Sequence, residues 1–138
     1  MNRLLLCLLI AVGYFVVRQP PESASKPMAG LAAYSRKMTA AERSGISDCY
    51  AILGRAIQAN PADEPVFPDV ASVRRAHRAA LLVVWRGVFD NQPGKYPGLR
   101  EALEGEVARG LGDADVPLNP ALQQQAAQTF LDISASLK

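Results

Sequence analysis

Residues Asp69 to Phe89 read DVASVRRAHRAALLVVWRGVF, and their spacing decides the fold class. Val70, Val73, His77, Leu81, Val84 and Val88 recur at steps of three and four, which is one face of an α-helix. The second half adds Leu82, Val83, Trp85 and Phe89 around the cylinder. A helix apolar nearly all round is buried between neighbours. The first half carries Arg74, Arg75 and Arg78 off the apolar face, so that end reaches water. Asp69 is placed to cap the start, where a carboxylate accepts from an orphan N–H and suits the helix dipole. The stretch is expected to be a central helix with the others packed around it.

The flanking sequence divides into helices in the same way. Thr39-Ala-Ala-Glu42 matches a capping box. Ile46, Cys49, Tyr50, Leu53, Ala56 and Ile57 follow at helical spacing, and Asn60-Pro61 ends that helix. The loop PADEPVFP, 61–68, offers Val66 and Phe67 as plugs for one end of the bundle. Pro93-Gly94 and Pro97-Gly98 mark turns in the loop 90–98. The next helix is expected from Pro97, with Leu99, Leu103, Val107 and Leu111 inside, Glu101, Glu104 and Glu106 wet, and Gly112 as the stop. Asn119 then caps and Pro120 opens a last helix, whose inner face is Leu122, Ala126, Phe130, Ile133 and Leu137. No stretch alternates with period two for long enough to be a strand. The expected fold is all-α, a small four-helix bundle-like domain over 39–138.

Ahead of that domain, Leu4 to Val17 is an unbroken apolar run closed by Arg18. As a helix it rises ~21 Å, short of the ~30 Å hydrocarbon core. It reads as a hydrophobic membrane anchor or signal segment over 1–18, inserting in the bilayer through Leu4–Val17. Cleavage, which would release a secreted or periplasmic domain, is the alternative. Residues 19–38, with Pro20, Pro21, Pro27 and Gly30, are expected to be a flexible linker. Basic residues follow the run more than they precede it, which argues against a non-cytoplasmic domain. So short an N-terminal run is nevertheless typical of export, and the domain is expected outside the cytoplasm.

The charge is mild, fifteen Lys and Arg against thirteen Asp and Glu, a formal net +2 among 138 residues. That gives no concentrated basic footprint, and nucleic acid is not an expected partner. The one local cluster is Arg74, Arg75 and Arg78, a solvated helix face in the plain reading and an anionic-surface site in the other. Of the two cysteines, Cys7 lies in the apolar run and only Cys49 lies in the domain. No disulfide is therefore expected within the domain.

Groups for chemistry are few. His77 is the sole histidine, and a base needs a nucleophile or a substrate proton within reach. Cys49 and Asp48 are the conceivable partners for a small enzyme; a hydrogen-bonded core histidine is the favoured reading. Asp113, Asp115 and Asn119 supply oxygens, but not at the alternate positions of an EF-hand. No phosphate loop, dinucleotide fingerprint or hydrolase motif occurs. No cofactor and no metal are expected.

Trp85 lies in line with Leu82, Phe89 and Arg78. It is either covered by another helix or part of an arginine-rimmed aromatic patch of the kind found at interaction hot spots. The loop residues Gln92, Lys95 and Tyr96 are a further candidate, because long loops carry function. The candidate interaction surface is thus Arg74, Arg75, Arg78, Trp85, Gln92, Lys95 and Tyr96. The functional expectation is a membrane-tethered binding or structural protein without catalysis, working through protein–protein contacts at the cell envelope. A His77 enzyme, an anionic-surface or nucleic-acid binder, and a phage-type lysis accessory are the alternatives.

Overall fold

Helix signals in the sequence translate into local hydrogen bonds at most of the expected places. The computed structural model describes residues 30–112 and 114–138. Residues 30–37 are helical (α1). Four further helical elements follow: α2, Ala40–Gln58; α3, Val70–Val83, continued by a π-turn over Val84–Val88; α4, Leu99–Leu111; and α5, Pro120–Ser136. The described residues form an all-helical, bundle-like unit, with a single antiparallel bridge between Asp69 and Pro117 that straps the loop after α4 to the start of α3. Val70 N donates to Val116 O at 3.0 Å and Leu118 N to Pro68 O at 2.9 Å in that strap.

The start signals are satisfied one by one. Thr39 accepts from Glu42 N at 3.1 Å while Thr39 N donates to Glu42 Oε1 at 3.0 Å, closing the capping box of α2. Asp69 accepts from Ser72 N at 2.9 Å and Asn119 from Leu122 N at 2.7 Å, with Pro120 in the first turn of α5. Gly112, in the left-handed region at φ +82°, ends α4.

The densest packing is between α2 and α5 rather than around α3, which corrects the expectation of a central Asp69–Phe89 helix. Small residues make it. Ser47 and Ser134 exchange hydrogen bonds, each hydroxyl donating to the other's carbonyl at 2.9 and 2.7 Å. Further along, a Cβ on Gly54 would lie 2.8 Å from the Leu131 side chain and 3.2 Å from Ala127 O. As α2 advances from Ser47 to Gly54, its partner on α5 retreats from Ser134 to Ala127, so the two run antiparallel with backbones in close approach. Ile46, Tyr50, Ile57, Phe130, Ile133 and Leu137, all buried to within 1% of full burial, fill the flanks of this seam. The apolar face of α3 then covers it: Val70, Val73, His77 and Leu81 are at most 2% exposed. Phe67 is tucked in beside them while Val66 stays 69% exposed.

Three further expectations fail for identifiable reasons. Leu82 and Val83 are 47% and 62% exposed while Trp85 and Phe89 are buried, although all four were expected inside. Phe89 N bonds to Val84 O at 2.9 Å, a five-residue step. One extra residue in a turn displaces everything after it by about 100° on the helical wheel, so the residues before Val84 and after it no longer share a face. Glu106, expected on the wet side of α4, is 5% exposed and paired with Arg109 at 2.7 Å. Helix α4 starts at Leu99, not Pro97, because Gly98 at φ +88° makes a turn first.

The expected linker 19–38 is folded in its last part. Residues 30–37 are helical, Leu31 and Met38 are buried at 0% and 4%, and the compact unit runs from Leu31 to Lys138. The expected anchor or signal over 1–18 and the rest of the linker lie outside the described residues. Among the described residues no helix is long and apolar enough to cross a membrane.

Candidate functional site at the start of helix α4

The loop 90–98 leaves the π-turn through two residues with left-handed backbone, Asp90 and Asn91 at φ 54° and 58°. Asp and Asn tolerate that region better than other side chains. Tyr96 repeats it at φ 56°, which turns the loop back onto the body. There the Tyr96 hydroxyl donates to Glu42 Oε1 at 2.6 Å, and Lys95 Nζ pairs with Glu42 Oε2 at 2.8 Å. The Tyr96 ring meets Phe89 edge-on at 5.2 Å. Tyr34 of α1 donates to Pro97 O at 3.1 Å, and a Cβ on Gly98 would lie 2.6 Å from the Tyr34 hydroxyl.

One carboxylate, Glu42, therefore serves the cap of α2 and clamps the loop. Burial alone would raise its pKa, but bonds from Lys95, Tyr96 and the Thr39 N–H outweigh it and bring the value from 4.5 to about 2. The Tyr96 phenol, which loses hydration and faces that anion, is pushed up to about 12.

Between this loop and α4 lies a cleft of about 340 Å³ lined by Trp85, Pro93, Lys95, Tyr96, Pro97, Gly98, Arg100 and Glu101. Three of the expected interaction residues, Trp85, Lys95 and Tyr96, thus converge on one place. Trp85 is 4% exposed, so it forms the cleft wall and does not stand on a surface patch. Arg100, rather than the expected Arg78, lies over its ring, 4.7 Å from the centroid. That is within cation–π range. Phe89 packs against the indole edge-on at 4.9 Å. The indole Nε1 is buried without a hydrogen-bond partner, a deficit of roughly 1–3 kcal/mol. Gln92 is exposed at the rim of the loop.

The arginine cluster does not act as one patch. Arg74 is held by Asp115 at 3.3 Å and by the Gly112 carbonyl. Arg75 reaches Ser72 Oγ at 3.3 Å, and both Arg75 and Arg78 remain exposed.

His77 is 2% exposed, and the partner it finds is Tyr50, whose hydroxyl lies 2.6 Å from Nε2. Cys49 or Asp48 had been expected there. Phe130 meets the imidazole edge-on at 5.4 Å and stacks on Tyr50 at 5.9 Å. Burial, with the Arg78 charge adding to it, lowers the histidine pKa from 6.5 to about 4, and burial raises that of Tyr50 well above its ordinary value. Both are neutral at pH 7. The ring is reached from a smaller pocket of about 170 Å³ beside Arg74, Arg78 and Glu104. Cys49 is half-buried, with its thiol pKa raised by burial, the wrong direction for a ready nucleophile. Among the described residues no group of His, Cys, Asp or Glu side chains converges in a way that suits a metal ion.

Sequence spacing offered no route to the role of Arg100, because it sits next to Leu99 in a turn whose register depends on Gly98. Comparison with family models, with curated proteins and with solved structures finds no match to this chain.

Proposed function

We propose that this chain is a helical binding protein without catalytic activity. It is held at a membrane by its N-terminal apolar run and acts through contacts with another protein at the cell envelope. The observation that carries this reading is the outer face of α3 and its π-turn. Arg75, Ala79, Leu82, Val83 and Arg86 are all exposed at helical spacing, with Leu82 at 47% and Val83 at 62%. The π-turn is what leaves this apolar pair outside while Trp85 goes in. Two apolar side chains flanked by arginines at both ends suit a partner that offers an apolar strip between acidic residues. The chemistry of the interior supports the same reading, since His77 and Tyr50 satisfy each other and Glu42 is committed to three donors.

The test is the self-contained pair of variants Leu82→Asp with Val83→Asp, and Arg86→Glu, made in the full chain. Substitution of exposed residues costs little stability, within about 0.5 kcal/mol. Both variants fold as the parent does but lose the partner that co-purifies with the parent, and the parent's retention weakens as salt is raised. A partner retained equally by all three proteins contradicts the assignment of this face.

A further inference from the structure

We infer that the cleft at the start of α4 is a carboxylate-binding site, a function that does not rest on the α3 face. The N-termini of α2, α3 and α5 each carry a side-chain cap, from Thr39, Asp69 and Asn119. The cap position of α4 is Gly98, which has no side chain to offer. Leu99 N is used by the turn, donating to Tyr96 O at 3.0 Å, and Ala102 N donates to Gly98 O at 3.0 Å. The N–H groups of Arg100 and Glu101 lie between them, and none of the hydrogen bonds found among the described residues engages them. Uncapped N–H groups at the positive end of a helix are donors for an anion.

A helix end alone would not make a site. The independent observation is Trp85, an indole in the wall of the same cleft, 4% exposed, whose Nε1–H has no partner. The cleft therefore gathers two backbone donors, an indole donor and the Arg100 guanidinium.

The charge balance sets the class of ligand. Lys95 is already neutralised by Glu42 at 2.8 Å, and Glu101 stands in the lining. Arg100 is left as the cation without an ion-pair partner in the cleft, enough for a monoanion and too little for a phosphate dianion. Two adjacent N–H donors with a guanidinium match the two oxygens of a carboxylate. The source is an acidic side chain or the C-terminal carboxylate of a polypeptide.

The chain contains one tryptophan, so its indole N–H gives one resonance in the full-length protein in detergent micelles. Sodium acetate should move that resonance saturably, and sodium chloride at equal ionic strength should not. Inorganic phosphate should bind more weakly than acetate. Arg100→Gln should weaken acetate at least tenfold, whereas Glu101→Gln, on an exposed residue, should tighten it severalfold. A short peptide with a free C-terminus and its amidated counterpart carrying an internal Asp then distinguish the two sources. An indole resonance that acetate leaves unmoved overturns the site. So does a response identical in chloride, or one unchanged by both variants. Tighter binding of phosphate than of acetate overturns the choice of ligand.

Discussion

At the scale of single residues, two titrating groups set how the fold responds to acid. His77 has a folded pKa of about 4 against 6.5, so the unfolded chain takes up the proton first. Its contribution is complete above pH 6.5 and is lost as the pH falls toward 4, by at most about 3 kcal/mol. Glu42 has a folded value of about 2 against 4.5, so its contribution is present above pH 4.5 and is lost as the pH falls through 2. Urea midpoints measured between pH 7 and pH 3 should fall in two successive windows. His77→Gln, which keeps a partner for Tyr50, should flatten the upper window and leave the lower. Glu42→Gln should do the reverse and, since solvent reaches Lys95, cost only about 1 kcal/mol at pH 7. A midpoint independent of pH between 7 and 4 in the parent would contradict the buried, neutral His77. The histidine's place inside the core was legible from its position on the Val70–Leu81 stripe. Its partner was not, because Tyr50 lies on another helix and nothing local to either residue sets their distance.

At the scale of elements, glycines separate close approach from idle flexibility. Gly54 lies where α2 meets α5, with Leu131 atoms 2.8 Å from a would-be Cβ, whereas a Cβ on Gly105 of α4 meets nothing within 4 Å. Gly54→Ala should therefore destabilise by roughly 1–3 kcal/mol through overpacking. Gly105→Ala should stabilise by about 0.5–1 kcal/mol through helix propensity. Thermal unfolding of the two variants reads opposite signs. Capping was the most legible feature of the sequence, because Thr39 with Glu42, Asp69 and Asn119 act within a single turn of themselves. The α2–α5 seam was not legible. Ser47 and Ser134 are polar and Gly54 and Ala127 small, so hydrophobic spacing passes over the residues that let the helices meet. The π-turn was hidden for a related reason: a change in helix period alters no residue type, yet it redistributes Leu82, Val83, Trp85 and Phe89 between water and core.

At the scale of the molecule, α1 is part of the folded unit. Leu31→Ala, at a fully buried position, should cost about 2–4 kcal/mol, measured by chemical denaturation; a change below 0.5 kcal/mol would mean that 31–38 is a linker after all. The Pro-rich stretch before it drew the linker reading one helix too far, since Leu31 and Met38 are too sparse to show a period. The same body carries two features on its outside that point to binding, the α3 face and the Arg100 cleft, while its titratable interior is occupied with holding the helices together. The claim that the α3 face meets a protein is tested most directly by a photo-crosslinking residue at position 82 of the full chain in its host, with position 52 as control. Ile52 is also exposed, at 61%, but on α2. Position 82 should give one discrete protein adduct that position 52 does not give. Adducts to lipid alone, or the same products from both positions, would contradict the account.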